Sequence, residues 1–324
     1  RHLPLAALFQ GATVAALAQL LREDSAANAA KGWQAVVPLT PAAPGQRPLF
    51  CAAGAGGNVL YLQPLSTALA GRLPLYGLQP AGLDGVTPVL PSLEALADYY
   101  LTAIRRTQPN GPYRLAGHSF GGLVAFEMAR RLLAGGETVE QLVVLDTAAP
   151  QWFSPTGRDW SHATWLAQVA QIASHQYGAA VAVDEATLAA QPDEEAQLAW
   201  LLAQLIAAGI LPQQTPLAHL RGFMAVYRAN LQAVYQPTPE AVAIPTLIIR
   251  SADLQPGHLA DPQAQAVRQE WDLGWGQWLT HPPQVIEVPG DHLTMLNPPQ
   301  VAKLADSLSP LPNPPPAGGR EYRE

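Results

Sequence analysis

The sequence predicts an α/β fold, with a mostly parallel, doubly wound sheet and one all-helical insertion. Short apolar runs alternate with segments of helical periodicity over most of the chain, which is typical of strands joined by crossover helices. The alternation stops between about Thr147 and Val242, where three consecutive segments have helical spacing. We therefore expect a sheet whose strands are interrupted once along the chain by a helical lid.

Six short apolar runs are predicted strands, and the helical segments between them are predicted crossovers between parallel neighbours. The predicted strands are Leu49–Ala52, Leu75–Leu78, Tyr113–Ala116, Leu142–Leu145, Thr246–Ile249 and Val285–Val288. The predicted crossover helices are Val59–Ala70, Ser92–Arg106 and Phe120–Leu133. In the second of these helices, Ser92 is a candidate N-cap before apolar residues on one helical face.

The predicted lid covers approximately residues 147–242 and is rich in Leu, Ala and Trp. Its helical segments are Ser161–Tyr177, Asp193–Ala208 and Pro216–Tyr235. An all-helical insertion between two sheet strands is expected to lie over the functional site. Aromatic side chains are as common in cores as in pockets. We therefore expect most of those in the lid to pack it against the body, and none is assigned to ligand binding.

Both ends of the chain differ from the folded body, which is expected to span residues 48–309. Residues 1–24 have helical spacing but are too few to fold alone, and residues 25–47, with their Ala, Gly and Pro, are a predicted linker. Closely spaced prolines predict a disordered tail over residues 310–324. Because the sequence starts without Met and without a long apolar segment, we expect no signal peptide and a chain cut from a longer one.

The composition argues against several classes of function. The 324 residues include 18 Lys and Arg against 25 Asp and Glu, for a formal charge of −7, and no basic cluster that could neutralise nucleic-acid phosphates. The longest nearly apolar stretch, Leu198–Leu211, is shorter than the ~20 residues of a transmembrane helix. The single cysteine, Cys51, is interpreted as a buried strand residue and is compatible with a reducing cytoplasm. We expect no nucleic-acid partner, no membrane span and a cytoplasmic location.

The strongest local signal is Gly117-His118-Ser119-Phe120-Gly121-Gly122, between a predicted strand and an apolar predicted helix. A G-x-S-x-G motif in a strand, turn and helix is the nucleophile elbow of α/β-hydrolases, where the glycines allow a tight turn that exposes the serine hydroxyl. We therefore predict an α/β-hydrolase fold with Ser119 as the nucleophile.

A serine hydroxyl is a weak nucleophile unless a base accepts its proton and an acid orients that base. The chain order in this fold is serine, acid, histidine. His292 follows the last predicted strand, at the edge where sites of open α/β sheets gather, whereas His258 and His281 are less well placed. Asp146 and Asp253 each follow a predicted strand, and their spacing leaves the choice of the acid open.

An acyl-transfer site also needs N–H groups that stabilise the oxyanion. The backbone N–H of Phe120, directly after the nucleophile, is one candidate, and the small residues of loop 51–57 allow a second N–H to approach the substrate. This loop lacks the G-K-[ST] ending of a P-loop and the G-x-G-x-x-G of a dinucleotide site. The histidines and acids lack the paired spacing of metal ligands. We expect no cofactor and no metal bound within this chain.

These segments resemble the thioesterase domains that end nonribosomal peptide synthetases and related polyketide synthases. The resemblance covers most of residues 48–309, with a loose match in the lid. Its motifs, in order, are Pro48 through Gly57, Gly77 through Pro80 with Gly82 through Asp84, the elbow, Leu145-Asp146 and Gly290 through Leu296. It implies Asp146 as the acid, with Asp253 as the fallback, and Ala55 as the second oxyanion donor. The chain departs from the family at Ala53-Gly54, where many members carry His-Pro or Pro-Pro.

The resemblance implies a chain-terminating thioesterase. Ser119 is expected to take a peptidyl or polyketide chain from carrier phosphopantetheine, with His292 as the base, and to release it by hydrolysis or macrocyclisation. Residues 1–24 resemble the last segment of a peptidyl carrier protein, cut after the serine that bears phosphopantetheine. This resemblance implies an upstream carrier protein and synthetase modules as partners.

Two other functions remain as alternatives at this point. A stand-alone serine esterase or lipase-type hydrolase needs the same three residues, and a catalytically silent module that docks a carrier needs none of them. The carrier-like start of the chain argues against the first, and the presence of all three residues argues against the second. The acyl chain, and the choice between hydrolysis and cyclisation, are not predicted.

Overall fold

The computed structural model describes residues 33–43 and 45–308. The predicted carrier-like segment 1–24, the first part of the predicted linker and the predicted tail 310–324 therefore lie outside the described residues. The described part of the chain forms a seven-stranded sheet with helices on its faces. Its strands are β1 Val36–Pro38, β2 Leu49–Ala52, β3 Leu75–Leu78, β4 Tyr113–His118, β5 Val139–Leu145, β6 Thr246–Ser251 and β7 Gln284–Val288.

The α-helices of the described residues fall into a body group and a lid group. In the body they are α1 Gln63–Ala68, α2 Leu93–Thr107, α3 Phe120–Ala134, α8 Pro262–Gln269 and α9 Gln300–Ser307. In the lid they are α4 His162–Tyr177, α5 Glu185–Ala189, α6 Glu194–Ala207 and α7 Leu217–Leu231. None of these helices is both long enough and apolar enough to cross a membrane.

The strand order is β1-β3-β2-β4-β5-β6-β7, so β2, the first parallel strand along the chain, lies in the interior of the sheet. From β2 the chain moves to β3 on one side, returns to β4 on the other side, and then continues outward to β7, with every pair parallel except β1 and β3. The order reverses between β2 and β4. Ligands of open α/β sheets bind where the carboxyl ends of the strands meet such a reversal, so the loops after β2 and β4 mark the expected site.

The predicted strands and lid helices are all present, and the structure adds short elements to them. The three predicted lid helices are α4, α6 and α7, whereas α5, with five residues, is too short for its periodicity to be recognised. Helices α8 and α9 were not predicted. Each has only eight residues and lies next to prolines, which the sequence pattern marks as loop.

The predicted linker over residues 25–47 is corrected at one place, because residues 36–38 form strand β1. Val36 pairs with Leu78 and Pro38 with Tyr76, antiparallel at the edge of the sheet, and the side chain of Val37 is completely buried. A proline has no N–H for a ladder and is therefore found in edge strands. Three residues that end in proline are too few to show the alternating pattern of a strand. They form a strand because they pair with the edge of β3.

Alternating side chains of the central strands divide the core into two layers. Phe50 and Ala52 of β2 face the layer that includes α2, α3 and the lid, whereas Leu49 and Cys51 face the layer with α1 and α9. Cys51 is fully buried in β2, as predicted, and burial raises the pKa of its thiol to about 12. It is therefore a protonated core residue.

Candidate active site

The elbow occupies the junction of β4 and α3, where Ser119 has φ 57° and ψ −131°. A positive φ is costly for a residue with a side chain and is kept only where its surroundings enforce it. Close packing enforces it here. A Cβ added to Gly117 would lie 1.9 Å from the carbonyl oxygen of Gly121, and one added to Gly121 would lie 2.3 Å from that of Ala52. The glycines of the motif thus allow the turn that puts Ser119 at the N-terminus of α3.

Asp146, the first residue after β5, is paired with His292. Its Oδ2 lies 2.9 Å from Nδ1 of His292, and Ser251 at the end of β6 donates its N–H to Oδ1 at 2.7 Å and its hydroxyl to Oδ2 at 3.0 Å. Burial by itself raises the pKa of Asp146. The hydrogen bond and charge of His292, together with the N–H of Ser251, outweigh burial and lower that pKa to about 2. The carboxylate is therefore ionised at neutral pH.

His292 lies on the loop after β7, and its two ring nitrogens have different surroundings. Nδ1 is engaged by Asp146, which leaves Nε2 for the proton of a nucleophile. Among the described residues, no hydrogen bond joins the Ser119 hydroxyl to this ring. In free enzymes such bonds are often long and tighten only when substrate binds. The structure thus joins His292 and Asp146 directly, and Ser119 follows β4, the strand that pairs with β5.

Asp253, the alternative acid, makes its recorded contacts through the backbone. Its N–H donates to the carbonyl of Gly290 at 3.0 Å, and its carbonyl accepts from the hydroxyl of Ser251 at 3.2 Å. The other candidate bases, His258 and His281, are exposed on the surface. The geometry therefore pairs His292 with Asp146, the arrangement that the family resemblance implies.

The loop after β2 lies against Ser119, and its backbone N–H groups have different hydrogen-bond acceptors. A Cβ on Gly54 would lie 3.4 Å from that of Ser119. The N–H of Ala53 donates to the carbonyl of Leu78, and the N–H of Gly54 donates to the Tyr61 hydroxyl at 2.8 Å. The N–H of Ala55 has no such partner among the described residues. The Ala55 N–H is therefore one open amide of this loop, and the N–H of Gly56 likewise has no partner among the described residues.

A pair of side chains that the sequence did not assign, Tyr61 and the buried His118, lies behind the active-site residues. His118, the residue before Ser119, is 3% exposed, and its Nε2 lies 2.8 Å from the carbonyl oxygen of His292. Its Nδ1 lies 3.2 Å from the hydroxyl of Tyr61, and its ring stacks on that of His292 with 4.8 Å between centroids. The sequence showed His118 only as the variable position of the motif. Nothing in the sequence marked Tyr61 or Ser251, because sheet register and loop packing bring them here.

The lid is attached to the active-site loops through α4 and α7, and the bonds of α4 include one from the Asn297 amide to the Gln176 carbonyl at 2.6 Å. At the end of α4, Nε2 of His175 lies 2.5 Å from Oδ2 of Asp291, the residue before His292. On α7, the Asn230 amide donates to the Ala55 carbonyl at 2.8 Å, and the Phe223 ring covers Gly56 so closely that a Cβ there would lie 2.4 Å from the ring. The lid therefore touches both the histidine loop and the loop that carries the open amides.

Among the described residues, no His, Cys, Asp or Glu side chains form a group that could hold a metal ion. The chemistry that the arrangement supports is acyl transfer through a serine. A histidine held by an ionised aspartate can take the serine proton. A negative oxygen formed next to Ser119 would lie at the N-terminus of α3, whose positive end can stabilise such a charge.

Comparison with known proteins places the chain among thioesterase domains. The family model for thioesterase domains matches residues 47–309. The chain is 30% identical over 308 residues to chondramide synthase cmdD of Chondromyces crocatus. This alignment covers 93% of the present chain and 8% of the synthase. It is 38% identical over 151 residues to vanchrobactin synthetase VabF of Vibrio anguillarum, which covers 46% of this chain and 5% of that protein. The chain thus spans less than a tenth of the length of either synthetase.

Solved structures agree with the fold. A four-domain nonribosomal peptide synthetase bound to AMP and glycine superposes with a TM-score of 0.74 and 26% identity, over 96% of this chain and 23% of that one. The wild-type Vlm2 thioesterase domain superposes with a TM-score of 0.59 and 24% identity, over 84% of this chain and 95% of that one. The predicted α/β-hydrolase fold is confirmed.

Proposed function

Since the chain belongs to the thioesterase domain family, a family of hydrolases, we propose that it releases the finished acyl chain of a nonribosomal peptide synthetase or hybrid polyketide synthase. The substrate is a peptidyl or polyketide thioester on carrier-protein phosphopantetheine. The observation that carries the proposal is the pairing of His292 with an ionised Asp146 next to the Ser119 elbow, at the reversal point of the sheet. The synthetases to which the chain is similar support the choice of substrate over a simple ester.

In the first half-reaction, Nε2 of His292 accepts the proton of Ser119 as Oγ attacks the thioester carbonyl. The N–H groups of Phe120 and Ala55 stabilise the oxyanion. When the intermediate collapses, the C–S bond breaks and the protonated His292 delivers its proton to the departing pantetheine sulfur. The product of this step is the acyl ester of Ser119.

In the second half-reaction, His292 deprotonates the nucleophile that attacks the acyl ester of Ser119. The bond from the acyl carbon to Oγ then breaks, and the protonated His292 returns the proton to Oγ. Water gives a linear acid, and an amine or hydroxyl of the acyl chain gives a macrocycle. A nucleophile that is held near the ester gains a large effective concentration over free water. The lid, with its contacts to both active-site loops, is the part of the molecule that sets this balance.

We also propose that residues 1–24 are the end of a carrier protein and that upstream synthetase modules are the partners. Support comes from chondramide synthase cmdD, whose sequence match covers 93% of this chain, more than residues 47–309 alone. The domain assignment of residues 48–309 to the thioesterase rests on the same family match.

Mass spectrometry of the intact protein after incubation with a panel of acyl and peptidyl pantetheine thioesters tests the proposal. We expect an acyl adduct on Ser119 and release of acid or macrocycle. Ser119→Ala should abolish both, whereas Ser307→Ala, at the exposed end of α9, should change neither. Rapid turnover of simple esters without acylation by any thioester would instead indicate a stand-alone esterase. Unchanged turnover in Ser119→Ala would remove the serine from the mechanism.

A further inference from the structure

Tyr61 and His118 connect the two halves of the active site through one continuous set of hydrogen bonds. Tyr61 lies in the turn Leu60–Leu62 that follows the loop after β2, His118 ends β4, and His292 follows β7. Gly54 contacts Tyr61, Tyr61 contacts His118, and His118 contacts the backbone of His292, at 2.8, 3.2 and 2.8 Å. Three segments that are distant in sequence are thus joined behind Ser119.

The direction of every bond in this set follows from its end points. The His292 carbonyl can only accept, so Nε2 of His118 carries the hydrogen, and Nδ1 of the neutral ring accepts from the Tyr61 hydroxyl. The oxygen of Tyr61 in turn accepts the Gly54 N–H. Burial raises the pKa of Tyr61, which keeps its proton. Burial, and then the nearby His292, lower the pKa of His118 to about 3. The set is therefore neutral, and each donor has one acceptor.

We propose that Tyr61 and His118 are positioning residues, which fix the His292 backbone relative to the loop that presents the Ala55 N–H. The inference rests on the proposed function, because it assigns His292 as the base and Ala55 as an oxyanion donor. Gly54 is the neighbour of Ala55, so the bond from its N–H to Tyr61 orients the peptide that precedes the open Ala55 amide. An error of about 1 Å in such an arrangement can cost about 100-fold in rate.

The neutral ring of His118 has a second consequence for His292. The two rings are stacked with an interplanar angle of 28°. His292 becomes a cation when it holds the serine proton, and a second cation at this distance would oppose that step. A neutral His118 supports the backbone of His292 without this repulsion, which a lysine or arginine at the same position could not do.

Three variants test the proposal. Tyr61→Phe removes one oxygen, and His118→Leu removes both contacts of the ring. His118→Gln keeps an amide that can donate to the His292 carbonyl and a carbonyl that can accept from Tyr61. We expect kcat for the accepted thioester to fall at least tenfold in Tyr61→Phe and His118→Leu, with KM within twofold of wild type. In His118→Gln, the decrease in log kcat should be at most half of that in His118→Leu.

Matched controls separate positioning from general stability. Tyr113→Phe removes a buried hydroxyl at the opposite end of β4, where it bonds the carbonyl of Gln108, and His162→Gln changes a histidine within the lid. Both should keep kcat within twofold of wild type. Losses in Tyr61→Phe and His118→Leu no larger than in these controls, or losses confined to KM, would overturn the proposal.

Two readouts do not depend on the thioester substrate. One is the rate at which a small fluorophosphonate labels Ser119, and the other is the low-field NMR signal of the His292 Nδ1 proton. We expect slower labelling and a broadened or shifted signal in Tyr61→Phe and His118→Leu. Suppose that the wild-type protein is labelled and shows the low-field signal, that both change in the variants, but that no thioester is turned over. The proposed function then fails, while the positioning role of Tyr61 and His118 stands. If thioester turnover is normal and neither readout responds to the variants, positioning fails alone.

Discussion

At the scale of single residues, the charge of Asp146 determines which nitrogen of His292 carries a proton. An asparagine at this position can still accept the Ser251 N–H through its oxygen, but it turns an N–H towards Nδ1 of His292. Nδ1 must then accept, so Nε2 holds the hydrogen and cannot take the proton of Ser119. We expect Asp146→Asn to lower kcat by about 10⁴-fold with the fold intact.

The matched control for Asp146→Asn is Asp253→Asn, which changes the other candidate acid. Its recorded contacts are made by the backbone, so we expect kcat within twofold of wild type. Steady-state kinetics on the accepted thioester, with circular dichroism of each variant, checks both expectations. A larger loss in Asp253→Asn than in Asp146→Asn would reverse the assignment of the acid.

His118 is also expected to make the stability of the protein depend on pH. Burial, followed by the charge of His292, lowers the pKa of His118 from 6.5 to about 3, while Tyr61 and Asp146 are its other titratable neighbours. Between these two values the unfolded chain binds the proton and the folded protein does not. The free energy of unfolding therefore falls as the pH falls from 6.5 towards 3, by at most about 1.4 kcal/mol per pH unit from this residue.

Denaturant unfolding of wild type and His118→Gln at pH 7, 6, 5 and 4.5 measures this contribution. Glutamine does not titrate, so the stability of wild type relative to the variant should decrease steadily below pH 6.5. Parallel stability curves for the two proteins would mean that the folded state holds a protonated His118.

Single functional residues could be predicted from the sequence only where a nearby motif or strand end marks them. Ser119 and His292 were predicted because a motif and a position after a strand mark them. Asp146 and Asp253 were equivalent by spacing, since the sequence does not say which strand end faces the histidine. Ser251 carries no local signal at all, because only the pairing of β5 with β6 brings it to the carboxylate of Asp146.

At the scale of elements, the contact of α4 with the histidine loop is expected to hold the lid closed on one side. The Asp291 carboxylate bonds His175 through Oδ2 and the N–H groups of Leu293 and Thr294 through Oδ1. His175→Ala removes this bond to the lid and leaves the caps of the loop and the bond from Asn297 to the Gln176 carbonyl. A hydrogen bond with a charged partner contributes about 1.5–3 kcal/mol. We therefore expect amide hydrogen exchange to become at least about tenfold faster over residues 162–177.

Hydrogen exchange followed by mass spectrometry measures the effect, and His162→Ala is its control. His162 lies at the other end of the same helix and bonds Gln197 inside the lid. We expect His162→Ala to leave exchange over residues 291–297 unchanged, whereas His175→Ala accelerates it. The same response of that loop to both variants would show that the contact is not a specific attachment of the lid.

Predicted elements were correct where a periodic segment was long enough to have a pattern. Helices α4, α6 and α7 each have fourteen to sixteen residues and were predicted to within a few residues. The elements that were missed are β1, α5, α8 and α9, which have three to eight residues and whose conformation is decided by the surfaces they pack on. Helix α5 begins at the N-cap Asp184, but one cap without a following apolar period does not distinguish a helix from a turn.

At the scale of the whole molecule, the family match begins at residue 47, but the sheet extends to β1. The backbone of Ala35 accepts from the N–H of Gln79, Leu39 donates to Leu75, and Val37 and Leu39 are buried under this edge. Without these residues the edge of β3 and its apolar surface are exposed to water. We expect a chain that begins at Pro48 to be at least about 3 kcal/mol less stable than one that begins at Trp33.

Chemical denaturation of the two truncated chains gives this difference directly. Val37→Ala in the chain that begins at Trp33 is the milder companion variant, with an expected loss of about 1–2 kcal/mol because it keeps the backbone pairing of β1. Equal stability of the two truncated chains would mean that β1 contributes nothing to the domain.

The sequence by itself determined the α/β class, the position of the elbow and the helical lid segment, and it marked Ser119 and His292 as candidates. These features depend on periodicity and on a motif whose glycines are required by the turn itself, so short stretches of chain contain all the information. Tertiary structure alone decided that β1 completes the sheet and that Tyr61 and His118 join the two active-site loops. It also placed Asp146, which the family resemblance indicated but spacing did not, beside His292. Such contacts arise from strand order and register, which bring together residues far apart in sequence, and no local pattern encodes them.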